Sequence, residues 1–484
     1  MPATITTVNP TTGTDLRTYD AWTPAQIDQA VEAGHQAALA WGRQPLEVRV
    51  AAVRRLAGEL RRQKDRFAQL ITEEMGKPLG EAAGELEKSA VTATYYADHA
   101  SRLLGDERVE IDGADVWVSY EPVGLVLAVM PWNFPVWQVM RFALPAVTAG
   151  NGVLLKHSPN VTGCALALQH LFADAGLPDH LFTALVVAEP DVPGTITRLI
   201  EDDRVAAVTL TGSNRAGAAV GATAGRASKK SVLELGGSDA FIVLEDADIP
   251  AAATAAVKAR YHNAGQSCVC AKRFIVSEAV APEFTERFLQ GVRDLVVGDP
   301  AREGTQMGPL ARGDLRDALQ GQVDRSLAAG ATLLAGGTPL GGPGFFYPPT
   351  VLAGAAPGMA VFDEETFGPV AAIAVARSDE EAIQLADATP FGLSVSIWTS
   401  NPERGVRVAK GITSGAAFIN AITASDARVP FGGTKKSGYG RELAAAGVRE
   451  FTNIRTYWAV PVGVQVPERV TPTATPELAP SALD

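Results

Sequence analysis

The segment Gly265-Gln266-Ser267-Cys268-Val269-Cys270 holds the residues whose types and spacing best suit chemistry. A thiol in a polar, glycine-bearing segment is unlike a cysteine filling an apolar core, because polar surroundings favour the thiolate, the nucleophilic form. Cys268 is therefore a candidate nucleophile toward an electrophilic carbon. Two cysteines separated by one residue also fit a metal pair or a strained bridge, and residue type alone leaves the three readings open. His262 lies six residues before Cys268, a spacing that suits a loop or core histidine as well as a dyad. The other histidines are scattered and none forms H-E-x-x-H, so no metal site is expected. No G-x-G-x-x-G or G-x-x-x-x-G-K-[ST] is present, so a nucleotide would need another kind of site. Thr211-Gly212-Ser213-Asn214 stands between an apolar run and a helical one, where the N–H groups of a helix start could face a phosphate. An ordinary strand-to-helix turn has the same pattern.

These residues must be positioned by alternating elements. Thr23-Pro24 is a helix start, with Thr23 to cap and Pro24 in the first turn. The stretches 25–41, 48–76 and 80–104 repeat apolar residues at three- and four-residue steps. Beyond them, GLVLAVM, GVLLKHS, FTALVV, VAAVTLTGS, AFIVLED, AKRFIVSE, VAAIAVA, SVSIWT and AAFIN alternate with helical segments, the pattern of parallel sheets buried on both faces. A change of register at Gly236-Gly237 marks a domain junction. Val116–Tyr120 and Thr456–Val464 are β-rich without adjacent helices and suit a protruding sheet that pairs with another copy. The Pro- and Thr-rich end reads as a flexible tail.

Composition narrows the setting. The chain has 484 residues, enough for about three domains at roughly 150 residues each. It is 46% hydrophobic and 20% charged, which excludes disorder as a whole. A net charge of −12 opposes binding to a phosphate backbone, so nucleic acid is set aside as a partner. Three cysteines, Cys164, Cys268 and Cys270, cannot make a disulfide framework, and the N-terminal residues carry no signal-peptide pattern, which points to the cytoplasm. The uncharged stretch Pro122–Met140 carries three prolines and reads as a buried strand and loop, so no membrane partner is expected.

Five motifs together resemble the NAD(P)-dependent aldehyde dehydrogenases: Pro131-Trp132-Asn133-Phe134-Pro135, Glu234-Leu235-Gly236-Gly237, Gly265-Gln266-Ser267-Cys268, Glu365-Thr366-Phe367-Gly368-Pro369 and Pro430-Phe431-Gly432-Gly433. The likeness runs from about residue 20 to about residue 460. It implies an α/β aldehyde dehydrogenase fold with a Rossmann-like cofactor domain (1–114 and 132–236), an α/β catalytic domain (237–448), a small β oligomerisation arm (115–131 and 449–465) and a tail (466–484), assembled as a homodimer or homotetramer. It makes Cys268 the nucleophile. Asn133, with the Cys268 N–H, would hold the oxyanion, and Glu234 would be the base that hydrolyses the thioester. Trp132, Lys156, Ser158, Pro159, Gly212, Ser213, Glu365 and Phe367 would contact the cofactor.

Pro159 stands where many NAD-preferring members carry a glutamate for the ribose 2′-hydroxyl. Losing that carboxylate admits a 2′-phosphate beside Lys156, so the cofactor is expected to be NADP or NAD. The short spacing and the segments LKHSPN, ARYHNAGQSCVCAKRF and SDARVPFGGTKKSGYGRE resemble the succinate-semialdehyde dehydrogenase branch. In that reading Arg141 anchors the substrate carboxylate and Ser425 supplies a hydroxyl, while His262 replaces a second arginine found in some relatives. Cys270 becomes a redox candidate able to bridge Cys268. The alternatives are an enzyme for another small aliphatic or acidic aldehyde, or a catalytically silent homologue.

Overall fold

The computed structural model describes residues 3–463, so the expected tail, 466–484, lies outside the described residues. One sheet runs in the spatial order Gly438–Tyr439, Lys230–Glu234, Val205–Thr211, Leu125–Met130, Gly152–His157, Phe182–Ala184. Its last five strands are parallel, and Gly438–Tyr439 is an antiparallel edge. The first of these five in the chain, Leu125–Met130, lies in the middle, with the second and third on one side and the fourth and fifth on the other. That is a doubly wound order, whose ligand crevice opens beyond the strand ends where the winding reverses. Asn133 follows one of those ends and Gly212 the other.

The second sheet runs Thr332–Ala335, Thr350–Ala353, Val370–Ala376, Ala271–Ser277, Asp239–Val243, Ser394–Trp398, Ala416–Ile419, parallel except for the first strand. All nine apolar runs named from the sequence are strands, because runs of Val, Ile, Leu and Ala can bury both faces between helices. The junction at Gly236-Gly237 separates Lys230–Glu234 in the first sheet from Asp239–Val243 in the second.

The β-rich segments pair as expected. Thr452–Ala459 lies antiparallel to Ala114–Pro122, with Thr456 opposite Val118 and Trp458 opposite Val116. Two details depart from the expected boundaries. Glu107–Ile111 forms the third strand of this arm instead of belonging with the residues before it. Leu125–Met130, expected within the arm, is the central strand of the first sheet, since it is flanked by parallel strands on both sides. The turn between arm and sheet is fixed by Asn151, whose Oδ1 accepts from the N–H groups of Val123 and Gly124 at 2.8 and 3.0 Å.

Thr23 caps helix Pro24–Gly42 in a reciprocal box with Gln26. The expected helix over 48–76 is two helices, Leu46–Arg62 and Lys64–Met75, broken at Gln63. Helix Leu79–Leu104 packs against Trp137–Ala149, which is buried on every side and begins directly after the Asn133 loop. Among the described residues no helix is long and apolar enough to cross a membrane.

Candidate active site

The loop from Pro131 to Val136 carries Asn133 and is held from two sides. Glu85, on helix Leu79–Leu104, accepts from the N–H groups of Val136 and Trp137 at 2.7 Å each, satisfying donors at the start of helix Trp137–Ala149. Its other oxygen accepts from Lys77 Nζ at 2.5 Å in a buried ion pair. From the neighbouring strand, His157 Nδ1 lies 3.0 Å from the Ser158 N and 3.2 Å from the Met130 carbonyl, and its Nε2 lies 2.9 Å from the Pro135 carbonyl. Burial lowers His157 to about 4, which keeps the ring neutral.

The thiol loop approaches from the second sheet. Asn263, Ala264 and Gly265 have positive φ values of 54°, 53° and 72°, a strained run that only Gly265 adopts at no cost. A Cβ on Gly265 would collide with the Gly368 carbonyl. Asn263 Nδ2 binds the Asn133 and Gln266 carbonyls at 2.8 and 3.1 Å, and Asn133 Nδ2 donates to the Gln266 carbonyl at 3.0 Å. The amide and the thiol loop are thus one hydrogen-bonded unit. Lys272, fully buried, donates to the Ser267 and Cys268 carbonyls at 2.9 and 2.8 Å. The Cys268 N–H meets no protein acceptor among the described residues, which leaves it available to an oxyanion beside Asn133.

Glu234 ends strand Lys230–Glu234, and its Oε1 has no hydrogen-bond partner among the described residues. Gly432 makes room for it, since a Cβ there would stand 2.7 Å from that oxygen. Burial first, and the Glu442 carboxylate second, hold Glu234 well above the usual carboxylate range. Glu442 is itself raised by burial, although Arg141 touches it in a buried ion pair. Arg141 also lies 4.6 Å above the Phe431 ring. It lines the same cavity as Cys268 and Ser425, the place its expected use as the substrate-carboxylate anchor requires, while its charge is also met by Glu442.

Cys268 opens onto a cavity of about 380 Å³ that Phe134, Trp137 and Phe431 wall with apolar surface. Burial pushes its thiol up to about 12, and Arg141 and Lys272 pull it back only in part, so the resting group is a neutral thiol. Ser425 reaches the same cavity, where its Oγ accepts from Lys88 Nζ at 2.7 Å. Cys270 is buried, its thiol raised by burial and directed at the His262 carbonyl 3.9 Å away; both cysteines are free thiols. His262 stacks on Phe134, and burial lowers it to about 4.

The remaining candidates gather at the switch point. Lys156 lies one residue before the end of strand Gly152–His157 and is buried, with no protein hydrogen bond or carboxylate within 4 Å among the described residues. Ser158 donates to Asn160 Oδ1 at 2.7 Å, and Pro159 opens the turn Pro159–Val161. Ser213 caps helix Asn214–Arg226 through the Ala216 N–H at 3.3 Å, and Gly212 precedes it. Trp132 and Phe367 meet edge to face at 5.7 Å. Glu365 accepts from the Gly237 N–H at 3.0 Å and lies 3.6 Å from Lys272 Nζ. The unpaired Lys156 ammonium and Gly236, where a Cβ would strike the Glu365 carboxylate, fit a dinucleotide laid along this edge. Among the described residues no cluster of His, Cys, Asp and Glu could hold a metal.

Sequence reasoning missed Asn263, Lys272, Glu442, Glu85 and Lys88. The Asn-x-Gly-Gln run held a signal for Asn263, since Asn tolerates positive φ. Lys272, Glu442, Glu85 and Lys88 sit among other charged residues and become special only through burial.

A doubly wound sheet and a second α/β sheet bring a thiol, an amide and a carboxylate close together, the constellation of an enzyme with a cysteine nucleophile. The sequence matches the Aldehyde dehydrogenase family over residues 2–457, and the chain belongs to that family and has its fold. It is 48% identical over 452 residues to succinate semialdehyde dehydrogenase [NAD(P)+] Sad of Escherichia coli, covering 93% of this chain and 97% of the relative. It is 45% identical over 454 residues to a probable NADP(+) succinate-semialdehyde dehydrogenase of Synechocystis sp., covering 94% and 99%. A crystal structure of succinic semialdehyde dehydrogenase from Streptococcus pyogenes with NADP+ superposes with a TM-score of 0.91 at 36% identity, covering 94% of this chain and 100% of the other.

Proposed function

We propose that the protein oxidises succinate semialdehyde to succinate with NADP+ or NAD+, through a thiohemiacetal and then a thioester on Cys268. The observation that carries this reading is the convergence on Cys268, where a cavity opens at the sulfur and an uncommitted backbone N–H lies beside the Asn133 amide. The relatives of highest identity among those above, named for this substrate and for NAD(P)+ or NADP+, support the substrate and cofactor.

Cys268 gives its proton to water in the cavity as its sulfur adds to the aldehyde carbon. The resulting oxyanion accepts hydrogen bonds from the Cys268 N–H and the second Asn133 Nδ2 hydrogen, a contribution of about 3 kcal/mol for one such donor. The cofactor, held by Lys156, Gly212, Ser213, Glu365 and Phe367, supplies the hydride acceptor when bound. Glu234 then takes a proton from water as the water attacks the thioester carbon, releasing the acid and restoring the thiol. A carboxylate raised by burial is the stronger base for this step.

The three-stranded arm exposes Ile454 and Trp458 and suits pairing with a second copy, as a homodimer or homotetramer in the cytoplasm. The test of the function is NAD(P)H formation over succinate semialdehyde, glutarate semialdehyde, butanal and propanal with each cofactor. Succinate semialdehyde should give the highest kcat/KM; a neutral aldehyde in first place would reassign the substrate, and no turnover of any would remove the catalytic reading.

A further inference from the structure

Lys272 is the second residue of strand Ala271–Ser277, and its side chain is wholly buried. A buried ammonium is costly unless counter-charges and acceptors are supplied. Glu365 supplies one counter-charge, with Oε1 3.6 Å from Nζ. Asp239 supplies another: burial raises its carboxyl to about 6, and the Lys272 charge opposes that rise. The hydrogen bonds of the ammonium go to neither acid. They go to the carbonyls of Ser267 and Cys268, at 2.9 and 2.8 Å.

Those two carbonyls flank a single Cα. The Ser267 carbonyl and the Cys268 N–H belong to one planar peptide unit, in which they point in opposite directions. The Cys268 carbonyl belongs to the next unit. One ammonium therefore holds both peptide planes that meet at Cys268, and with them the direction in which its Cβ leaves the backbone. The Cys270 N–H donates to the same Ser267 carbonyl at 3.3 Å and closes the turn.

The contact also has an electronic effect. A cation on an amide oxygen draws electron density from the nitrogen through the amide resonance, which makes the N–H a stronger donor, and hydrogen bonds chained in this way strengthen one another where water is excluded. The N–H so affected is that of Cys268, which meets no protein acceptor among the described residues.

We propose that Lys272 is a positioning residue for the reaction at Cys268: through the Ser267 carbonyl it fixes and polarises the peptide whose N–H receives the oxyanion, and through the Cys268 carbonyl it fixes the aim of the thiol. The assignment rests on the reading that Cys268 adds to an aldehyde carbon. Lys272, after Arg141, also opposes the burial that raises the Cys268 thiol, so its test must separate an effect on the oxyanion from an effect on the sulfur.

Two reactions of the same sulfur make that separation. Addition to an aldehyde forms an oxyanion. Alkylation by iodoacetamide does not: the sulfur bonds to a saturated carbon, iodide leaves with the bonding pair, and the thiol proton goes to water. In Lys272→Met, which keeps the length of the buried stem, kcat for aldehyde oxidation should fall by roughly 10- to 100-fold with KM little changed, because the lost interaction is made in the transition state. Alkylation of Cys268, followed by mass spectrometry, should slow less, so that the ratio of the two rate constants falls by roughly 10-fold. Lys272→Gln, which keeps a polar group in the buried position, should shift the ratio in the same direction and answers the question if Lys272→Met does not fold. Equal losses in the two reactions, as misplacement of the loop or loss of thiolate alone would give, or an unchanged kcat, defeat the Lys272 assignment and leave the reaction standing. A wild type that is alkylated at Cys268 yet forms no NAD(P)H from any aldehyde defeats the reaction and Lys272 with it.

Discussion

Arg141 and Glu442 touch in a pair that is almost wholly buried, and that pair stands beside the Glu234 carboxylate. One guanidinium therefore compensates two buried acids, and removing one member of such a group leaves an unpaired charge. Arg141→Ala should cost about 3–5 kcal/mol of stability in denaturant unfolding. It should lower kcat/KM for butanal, through the damage to Glu234, and for succinate semialdehyde by a larger factor, through loss of the proposed carboxylate anchor. Equal penalties would take the anchor role from Arg141.

This placement marks where the sequence stops being legible. The strands were readable because a run such as Val205–Thr211 can bury both faces, and the thiol because Gly265-Gln266-Ser267-Cys268 is polar where a core run would be apolar. The partners of charged residues were not. Arg141 and Glu442 are separated by three hundred residues, and only the packing of helix Trp137–Ala149 against the closing segment decides that they meet. Lys88 looks from its neighbours like one solvated charge on a helix, and its hydrogen bond to Ser425, far along the chain, is a property of the fold. The arm boundary failed for a related reason: Ala114–Pro122 and Leu125–Met130 are nearly continuous in sequence, and their separation rests on two hydrogen bonds to Asn151.

Replacing Glu234 by Gln keeps the shape of the site and removes the proposed base. NAD(P)H should form in a rapid burst of about one equivalent per site and then slow by roughly 10²- to 10⁴-fold, since the thioester persists without an activated water. A steady state equal to that of the wild type would assign the base elsewhere.

The acidity of the site sets its pH dependence. Glu234 and Cys268 both hold their protons to higher pH than the free side chains, and the proposed reaction requires both to lose them. Turnover of butanal, which carries no titrating group of its own, should therefore be low in acid and rise through neutral into alkaline pH. A profile that is level from about pH 5 upward would contradict both shifts.

Cys270 was a candidate for reversible bridging to Cys268, and the loop argues against it. Lys272 pins the carbonyls of Ser267 and Cys268, so drawing the two sulfurs together would break those hydrogen bonds. Cys270 is also buried, with a thiol raised by burial, which disfavours the reactive thiolate. Cys270→Ala should lose activity in peroxide and regain it in thiol as the wild type does. Recovery in the wild type alone would show that the bridge forms.

Lys156 is the residue expected to bear on the choice between NADP and NAD. Among the described residues its ammonium has no hydrogen-bond partner, burial lowers it to about 8 against the opposing pull of Glu189, and Pro159 stands in place of a carboxylate that would repel a 2′-phosphate. Below about pH 8 the ammonium is charged and favours the phosphate; above it the attraction fades. Lys156→Gln should therefore raise the dissociation constant for NADP by roughly 10-fold at neutral pH and that for NAD by less, as measured by fluorescence titration. In the wild type the advantage of NADP over NAD should shrink as pH rises past about 8, and in the variant it should not change. Equal losses for the two cofactors would move the recognition of the 2′-phosphate to another residue.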